Sequence, residues 1–220
     1  MVLEVAEGAC VRLGFAEPMA LPRVREMVET GDSAGLVGSL RPEPVQPGDA
    51  VLVPAGVPHS IDAGVLVLEL QEPTDLSIVL EAEDLDLDPL QDGHLGLGFD
   101  LALQALRLEP PDTSALMLRA GAPSATGVTG ATALLPPAAE PYFRAHRLGP
   151  SGGGGTQPAG FAVLLCTAGA GRLETGSAGG LELRRGAVAV VPYAAGTWQL
   201  SGPVDVIACR PPRPDAATAS

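Results

Sequence analysis

Hydrophobic and polar residues alternate along much of this chain, and the alternation predicts short β-strands. It starts at once: Val11, Leu13 and Phe15 are spaced two apart, as on one face of a strand. The same criterion predicts further strands over 44–53, 64–71, 77–87, 161–167, 171–174, 181–183 and 204–209. The chain is therefore expected to be mainly β.

Helical spacing appears in two places only. Residues 19–40 predict two short helices, the first beginning near Pro22 and ending at Gly31, the second capped by Asp32. We interpret 19–40 as a helical insertion between strands. A connecting helix is predicted over 99–106, where leucines recur on one face.

The second half of the chain repeats the first. Gly186 to Pro192 copies the spacing of Gly48 to Pro54, and in the same register Gly202 falls on Gly64. Two tandem copies of one β-fold are therefore expected. The boundaries predicted from this register and from composition are a first domain 1–108, a loop or linker 109–141, a second domain 142–213 and a tail 214–220.

Composition narrows the classes of function. The formal net charge is −13, and all 13 basic residues are arginine. Without lysine there is no Schiff-base or P-loop chemistry, so the run Gly152–Gly155 is predicted to be a flexible loop. The sequence has no basic stripe of the kind that nucleic-acid binding needs. Binding of a sugar phosphate to so acidic a chain would need a local cluster of arginines.

The cysteines and the hydropathy of the chain predict neither a zinc site nor a membrane segment. The three cysteines, Cys10, Cys166 and Cys209, do not have the spacing of a zinc site, and the latter two lie in apolar runs typical of buried thiols. No apolar run is long enough for a membrane span, and no secretory leader is apparent. A soluble, cytoplasmic protein is expected.

The most informative motif is Gly48-x5-Pro54-x-Gly56-x2-His59. It predicts a buried strand, a Pro-x-Gly turn and an imidazole aimed by that turn. The motif fits the second signature of cupins, and the run 53–80 resembles the class I mannose-6-phosphate isomerases. That resemblance implies tandem cupin barrels of the jelly-roll or double-stranded β-helix type, with zinc as cofactor.

The resemblance implies a metal site of which one ligand matches this chain. His59 corresponds to the family's histidine after the turn. The family's other ligands, a glutamine, a histidine and a glutamate, precede it; residues 1–58 contain no histidine. They are expected upstream of Met1, in an N-terminally shortened member. Glu4 does not match a ligand position. The second copy has Thr197 where the first has His59, so no metal is expected there.

Further site residues are less well defined by the resemblance. The family's catalytic arginine falls on Val79, so Arg144 or Arg107 is considered in its place, and Arg144 is taken as the catalytic candidate. Glu69 and Gln71 are two apart on a predicted strand, either towards the barrel interior or towards solvent. The candidates for orienting His59 or the substrate are Glu69, Gln71 and Asp75. His94 and His146 are interpreted as surface or capping residues.

The resemblance implies an aldose–ketose isomerase that interconverts mannose 6-phosphate and fructose 6-phosphate through a cis-enediolate, with zinc polarising the sugar oxygens. The alternative is a non-catalytic tandem cupin that binds a sugar phosphate or a protein partner. A metal oxygenase would need a two-histidine, one-carboxylate triad, which the chain does not supply. A hexose 6-phosphate is the expected small-molecule partner, with no nucleic acid and no membrane.

Overall fold

The structure is a computed structural model that describes residues 1–73, 76–81, 88–122, 131–150 and 155–213. It is mainly antiparallel β, as the alternation predicted. The strands are β1 (Val2–Val5), β2 (Cys10–Phe15), β3 (Leu40–Pro44), β4 (Ala50–Val51), β5 (His59–Ile61), β6 (Val65–Val67), β7 (Met117–Leu118), β8 (Thr132–Ala133), β9 (Arg144–Leu148), β10 (Ala162–Thr175), β11 (Gly179–Arg184), β12 (Val188–Val191), β13 (Trp198–Ser201) and β14 (Val204–Arg210).

The described residues also form five short α-helices. They are α1 (Leu21–Thr30), α2 (Ser33–Gly38), α3 (Pro89–Asp92), α4 (Phe99–Ala102) and α5 (Thr113–Leu116), and 3-10 turns lie at Leu103–Ala105, Pro137–Ala139 and Tyr193–Ala195. In the part of the chain that the structure describes, no helix has the length and apolar character needed to cross a membrane.

The chain divides into two compact units. The first unit comprises Val2–Asp49 and Val53–Leu116. The second comprises Met1, Ala50–Leu52 and Met117–Ser220. Strand β4 therefore belongs to the second unit, where it pairs with β7.

The first unit holds two small antiparallel sheets, β3-β2-β5 and β1-β6. Its core is one cluster that joins Phe15 of β2 with Val24 and Met27 of the helical insertion, all nearly inaccessible. Both predicted helices of the insertion are present. Gly31 ends α1 in the left-handed conformation, and the carboxylate of Asp32 accepts the Gly35 N–H at 2.9 Å, satisfying one of the free donors at the start of α2.

The second unit is built on a seven-stranded sheet around β10. Strand β10 is 14 residues long; its first half pairs with β12 and β14, its second half with β11 and β13. The two halves meet at a register shift followed by Gly169, whose φ is 70°. A Cβ at that position would overlap the Pro203 carbonyl oxygen. The inward residues of this sheet form one apolar core around Trp198 and Leu164.

The predicted repeat is visible in the backbone hydrogen bonds. In the first unit, the Gly48 N–H donates to the Val2 carbonyl (2.9 Å) and the Val2 N–H to the Asp49 carbonyl (2.8 Å). In the second, Gly186 donates to the Cys166 carbonyl (2.9 Å) and Cys166 to the carbonyl of the residue after Gly186 (2.9 Å). Two stretches of unlike sequence therefore make the same connection, and β1 with β2 corresponds to the two halves of β10.

Several predicted boundaries are wrong. The strand predicted over 64–71 ends at Val67, and no strand forms in the described part of 77–87, where the Val79 N–H bonds to the Gly93 carbonyl. The helix predicted over 99–106 is α4 continued by a 3-10 turn. The predicted strands 161–167 and 171–174 are one strand, because the bend at Gly169 does not interrupt the ladder. Residues 123–130, 151–154 and 214–220 of the predicted linker, glycine loop and tail lie outside the described residues.

Gly64 and Gly202, which occupy equivalent positions in the repeat, provide a test of it. Their φ angles are 89° and 87°, and a Cβ would lie 2.8 Å from Ala6 Cβ in one case and 3.1 Å from Gly171 Cα in the other. We expect Gly64→Ala and Gly202→Ala each to lower the free energy of unfolding by about 1–3 kcal/mol, because a side chain is strained in this conformation. Urea unfolding measures the effect.

The matched control is Gly38→Ala at the end of α2. No atom lies within 4 Å of a Cβ there and φ is not positive, so the variant is expected to be as stable as the wild type or more stable. Equal stability of all three variants would contradict the strain at the two glycines, and a loss of stability in only one of Gly64→Ala and Gly202→Ala would contradict their equivalence.

Candidate functional site

The turn before β5 orients the imidazole of His59. The Val57 N–H donates to the Pro54 carbonyl at 3.1 Å and Gly56 has φ of 78°, which closes the predicted Pro-x-Gly turn. Nδ1 of His59 lies 3.2 Å from the Val57 carbonyl oxygen. Because a carbonyl only accepts, Nδ1 carries a proton in this contact, and in the neutral ring the lone pair is then on Nε2. The His59 side chain is exposed.

The segment after α4 holds this turn in place. The Arg107 N–H donates to the Gly56 carbonyl at 2.8 Å, and a Cβ at Gly56 would overlap the carbonyl oxygen of Ala105. Glycine is thus required twice over, by its φ and by the close approach. The exposed side chain of Arg107 belongs to the same unit as His59, and its backbone contacts the turn that carries His59.

The ladder between β2 and β5 fixes the register of His59. His59 lies opposite Leu13, and the Gly14 N–H donates to the Pro58 carbonyl at 2.7 Å. At the other end of the ladder, Asp62 accepts hydrogen bonds from the backbone N–H of Cys10 (3.1 Å) and from its thiol (3.2 Å). A one-residue slip would carry every side chain to the other face, so these end contacts help to determine where His59 points.

Asp62 also forms an ion pair with Arg12, and the side chains are 28% and 23% exposed. Burial alone would raise the pKa of Asp62, but the hydrogen bonds from Cys10 and the Arg12 guanidinium bring it below its usual value. Burial, followed by the hydrogen bond to Asp62, raises the pKa of the Cys10 thiol. The thiol therefore stays protonated and donates, and the carboxylate stays ionised and accepts.

The remaining candidates of the first unit are not gathered around His59 by any described contact. Glu69 and Gln71 are both exposed, as in the solvent-facing alternative, but they follow the end of β6, so their predicted placement on a strand is wrong. Asp75 lies outside the described residues. Glu4 is exposed on β1 opposite Leu66.

The other two histidines have structural contacts. His94 Nδ1 accepts the Gly98 N–H at 3.1 Å, while Nε2 lies 3.1 Å from the Leu90 carbonyl. It therefore caps the residue before α4, as expected of a capping histidine. His146 lies half-buried on β9 in the second unit, where burial and neighbouring arginines lower its pKa.

Arg144, the predicted catalytic arginine, also belongs to the second unit. It begins β9, and its Nε donates to the Pro211 carbonyl at 2.9 Å. Its catalytic role stays a prediction. Cys209, expected to be buried, is half-buried, because it alternates with the inward residues of β14; Cys166 is buried as predicted.

A zinc ion needs at least three protein ligands in a catalytic site. Over the described residues, no three histidine, cysteine, aspartate or glutamate side chains are grouped closely enough to hold a metal ion. His59 is thus one well-presented ligand without the companions that a complete site requires, and the described residues do not by themselves fit a zinc centre.

The clamp formed by Cys10, Arg12 and Asp62 was missed by the sequence analysis. Cys10 and Asp62 are 52 positions apart, and nothing in the local sequence of either residue signals the other. The one available indication is that Asp62 follows His59, the residue presented by the predicted turn, by three positions.

Asp62→Asn tests this clamp. We expect the variant to lose about 1 kcal/mol of unfolding free energy at neutral pH, since the charge-assisted bonds are partly exposed. Because the folded-state pKa of Asp62 is lowered, its contribution is present above the unfolded-state pKa and disappears as pH falls through the folded-state pKa. Urea unfolding across the acid range should therefore show wild type and variant converging.

Glu17→Gln is the control, since Glu17 is an exposed carboxylate just after β2. It should leave the unfolding free energy nearly unchanged at every pH. A constant difference between wild type and Asp62→Asn down to the lowest pH would contradict the ionised clamp.

Comparison with known proteins gives a consistent result. No family model matches the chain. It is 27% identical over 213 residues to a mannose-6-phosphate isomerase of Streptococcus mutans, covering 94% of this chain and 61% of that protein. Its fold matches a mannose 6-phosphate isomerase from Bacillus subtilis with a TM-score of 0.65 and 21% identity, covering 95% of this chain and 62% of that one.

A zinc-bound mannose 6-phosphate isomerase shares the fold at a TM-score of 0.50 and 18% identity, over 87% of this chain and 45% of that chain. These structural likenesses concern the fold. The chain spans about three fifths of the length of the curated relative that it matches. By sequence and by fold, then, this chain is similar to the mannose-6-phosphate isomerases over nearly all of its own length.

Proposed function

We propose that this chain serves in a zinc-dependent aldose–ketose isomerisation of mannose 6-phosphate and fructose 6-phosphate, with His59 as one zinc ligand. The observation that carries the proposal is the aimed imidazole: Nδ1 lies 3.2 Å from the Val57 carbonyl oxygen, which leaves Nε2 of the exposed ring as the nitrogen for a metal. A metal-binding histidine commonly has its other ring nitrogen fixed by a carbonyl in this way. The similarity to named isomerases supports the choice of reaction.

Arg107 is the arginine that we propose to interact with the phosphate of the substrate. Its backbone is bonded to the turn that carries His59, and its side chain is exposed. A guanidinium binds a phosphoryl group through two parallel hydrogen bonds. Such a contact, remote from the reacting carbons, would hold the sugar in place while the proton moves between C1 and C2.

The described residues do not define a reaction step at the metal. The described residues provide one candidate ligand where three are needed, so neither a coordination geometry nor a metal-bound base is assigned. What this chain contributes, on the proposal, is an oriented imidazole and a positive charge on the segment whose backbone is bonded to the same turn.

His59→Ala tests the ligand assignment by two readouts on the purified protein. We expect the variant to lose bound zinc, measured by elemental analysis, and to lose isomerase activity by about a hundredfold or more, because removing a ligand disrupts the site. His94→Gln is the control. Both ring nitrogens of His94 already have partners, so this variant should keep its zinc.

Zinc retained at the wild-type level in His59→Ala would overturn the ligand assignment. Neither zinc nor activity in the wild type would overturn the proposed function and favour the alternative, a non-catalytic protein that binds a sugar phosphate or a protein partner. The observation that favours this alternative is that the described residues contain no group of three metal-binding side chains.

Arg107→Gln tests the proposed phosphate contact separately. We expect the KM for mannose 6-phosphate to rise about tenfold, since one charge-assisted contact is lost. Arg23→Gln removes an equally exposed arginine of the same unit that pairs with Glu26, and it should leave KM unchanged. An unchanged KM in Arg107→Gln would remove Arg107 from the site.

A further inference from the structure

The inner face of β14 ends in a buried arginine. Val204, Val206 and Ala208 alternate into the apolar core of the second unit, and Arg210 continues the same alternation. Its side chain is 9% exposed. An arginine in this position is costly to bury unless its donors are paired.

The neighbouring strand places a second arginine directly opposite. In the ladder of β9 with β14, Leu148 pairs with Val206, His146 with Ala208, and Arg144 with Arg210. Because alternate residues of a strand share a face, Arg144, His146 and the core residue Leu148 all lie on the inner face. Like charges directly opposite each other on adjacent strands are destabilising, so this arrangement calls for a compensating anion.

Two buried N–H donors at this position, one on Arg210 itself and one on Trp198, have no acceptor among the described residues. The Arg210 guanidinium carbon lies 5.2 Å from the centroid of the Trp198 indole ring. Nη2 of Arg210 and Nε1 of Trp198 are both buried without a hydrogen-bond partner in the described part of the chain. A buried donor left unpaired is destabilising, and more so when it belongs to a charged group. We call Arg144, His146, Trp198 and Arg210 the arginine cluster.

The charges around the cluster reinforce this imbalance. Burial lowers the pKa of His146, and Arg144, Arg210 and Arg213 lower it further, against the opposing effect of Glu140. Burial likewise lowers the pKa of Arg210, with a smaller effect from Arg144. The chain carries a net charge of −13, yet three of its arginines, Arg144, Arg210 and Arg213, act together on His146.

We propose that the arginine cluster is an anion site that binds a phosphoryl group. The donors are the guanidinium groups of Arg144 and Arg210, the indole N–H of Trp198 and the imidazole of His146. Two opposed guanidinium groups match the charge of a dianion, whereas a carboxylate would neutralise only one of them. Arg144 and His146 are half-buried, which gives the ligand access from solvent.

The arginine cluster and the residues proposed for the isomerisation lie in different units of the chain. The arginine cluster belongs to the second unit, whereas His59 and Arg107 belong to the first. It also lies in the copy of the repeat where Thr197 replaces His59, so the second copy would bind an anion where the first presents a metal ligand.

Tryptophan fluorescence provides a direct measurement, because Trp198 is the single tryptophan of the chain. The probe is inorganic phosphate, titrated at constant ionic strength with chloride. We expect a saturable change of Trp198 fluorescence in the wild type. The apparent Kd should rise about tenfold or more in Arg210→Met and in Arg144→Gln, since each loses a charge-assisted contact. Acetate at the same concentrations should produce a weaker response.

Arg147→Gln is the matched control. Arg147 lies on β9 between Arg144 and Leu148 but on the opposite face, opposite Ile207, and its replacement changes the net charge equally. This variant should keep the wild-type Kd. The half-buried Arg144 tolerates substitution more readily than Arg210, so Arg144→Gln gives a result even if Arg210→Met fails to fold, which circular dichroism would reveal.

Three outcomes would overturn the proposal: no saturable response in the wild type, the same response in Arg144→Gln as in the wild type, or an equal loss in Arg147→Gln. A response to acetate as strong as that to phosphate would overturn the assignment to a phosphoryl group. None of these readouts depends on zinc or on isomerase activity, so failure here and failure of the proposed function are distinguishable.

Discussion

The ladder between β2 and β5 is the constraint on which the first unit's chemistry depends. Strand β5 has three residues, too few to hold a register by itself, and it begins with His59. At one end of the ladder the Gly14 N–H donates to the Pro58 carbonyl, and at the other end the Cys10 N–H donates to the Asp62 carboxylate. These two hydrogen bonds fix the register. With both ends held, the turn at Gly56 has one way to present the imidazole.

The two units show how one backbone pattern accommodates different side-chain chemistry. The hydrogen bonds of Val2 with Gly48 and Asp49 recur at Cys166. In the first unit the long strand is interrupted between β1 and β2, while in the second β10 runs through. The continuous strand gives the second unit its larger sheet and core. The first unit instead fills its core with helices from the insertion.

The buried charge of Arg210 in the second unit is unfavourable for stability, which indicates a role in binding. A hydrophobic residue at position 210 would continue the inward row of β14 and avoid two costs, the unpaired donor and the opposed arginine. The stacking of Arg210 on Trp198 offsets part of this. An arginine in such a place is best understood as a binding group, since packing alone would favour valine or leucine.

The sequence by itself determined the class of fold, the repeat and the helical insertion, because these depend on local spacing: alternation, a helix cap at Asp32, and glycines at matched positions. It also singled out His59, because its turn is encoded in neighbouring residues. The sequence did not determine element boundaries such as the end of β6 at Val67, since a strand ends where its pairing with a neighbouring strand ends. Only the tertiary structure brought Asp62 to Cys10 and Arg144 to Arg210. Those pairs are joined by cross-strand register over 52 and 66 positions, and register is a property of two strands together.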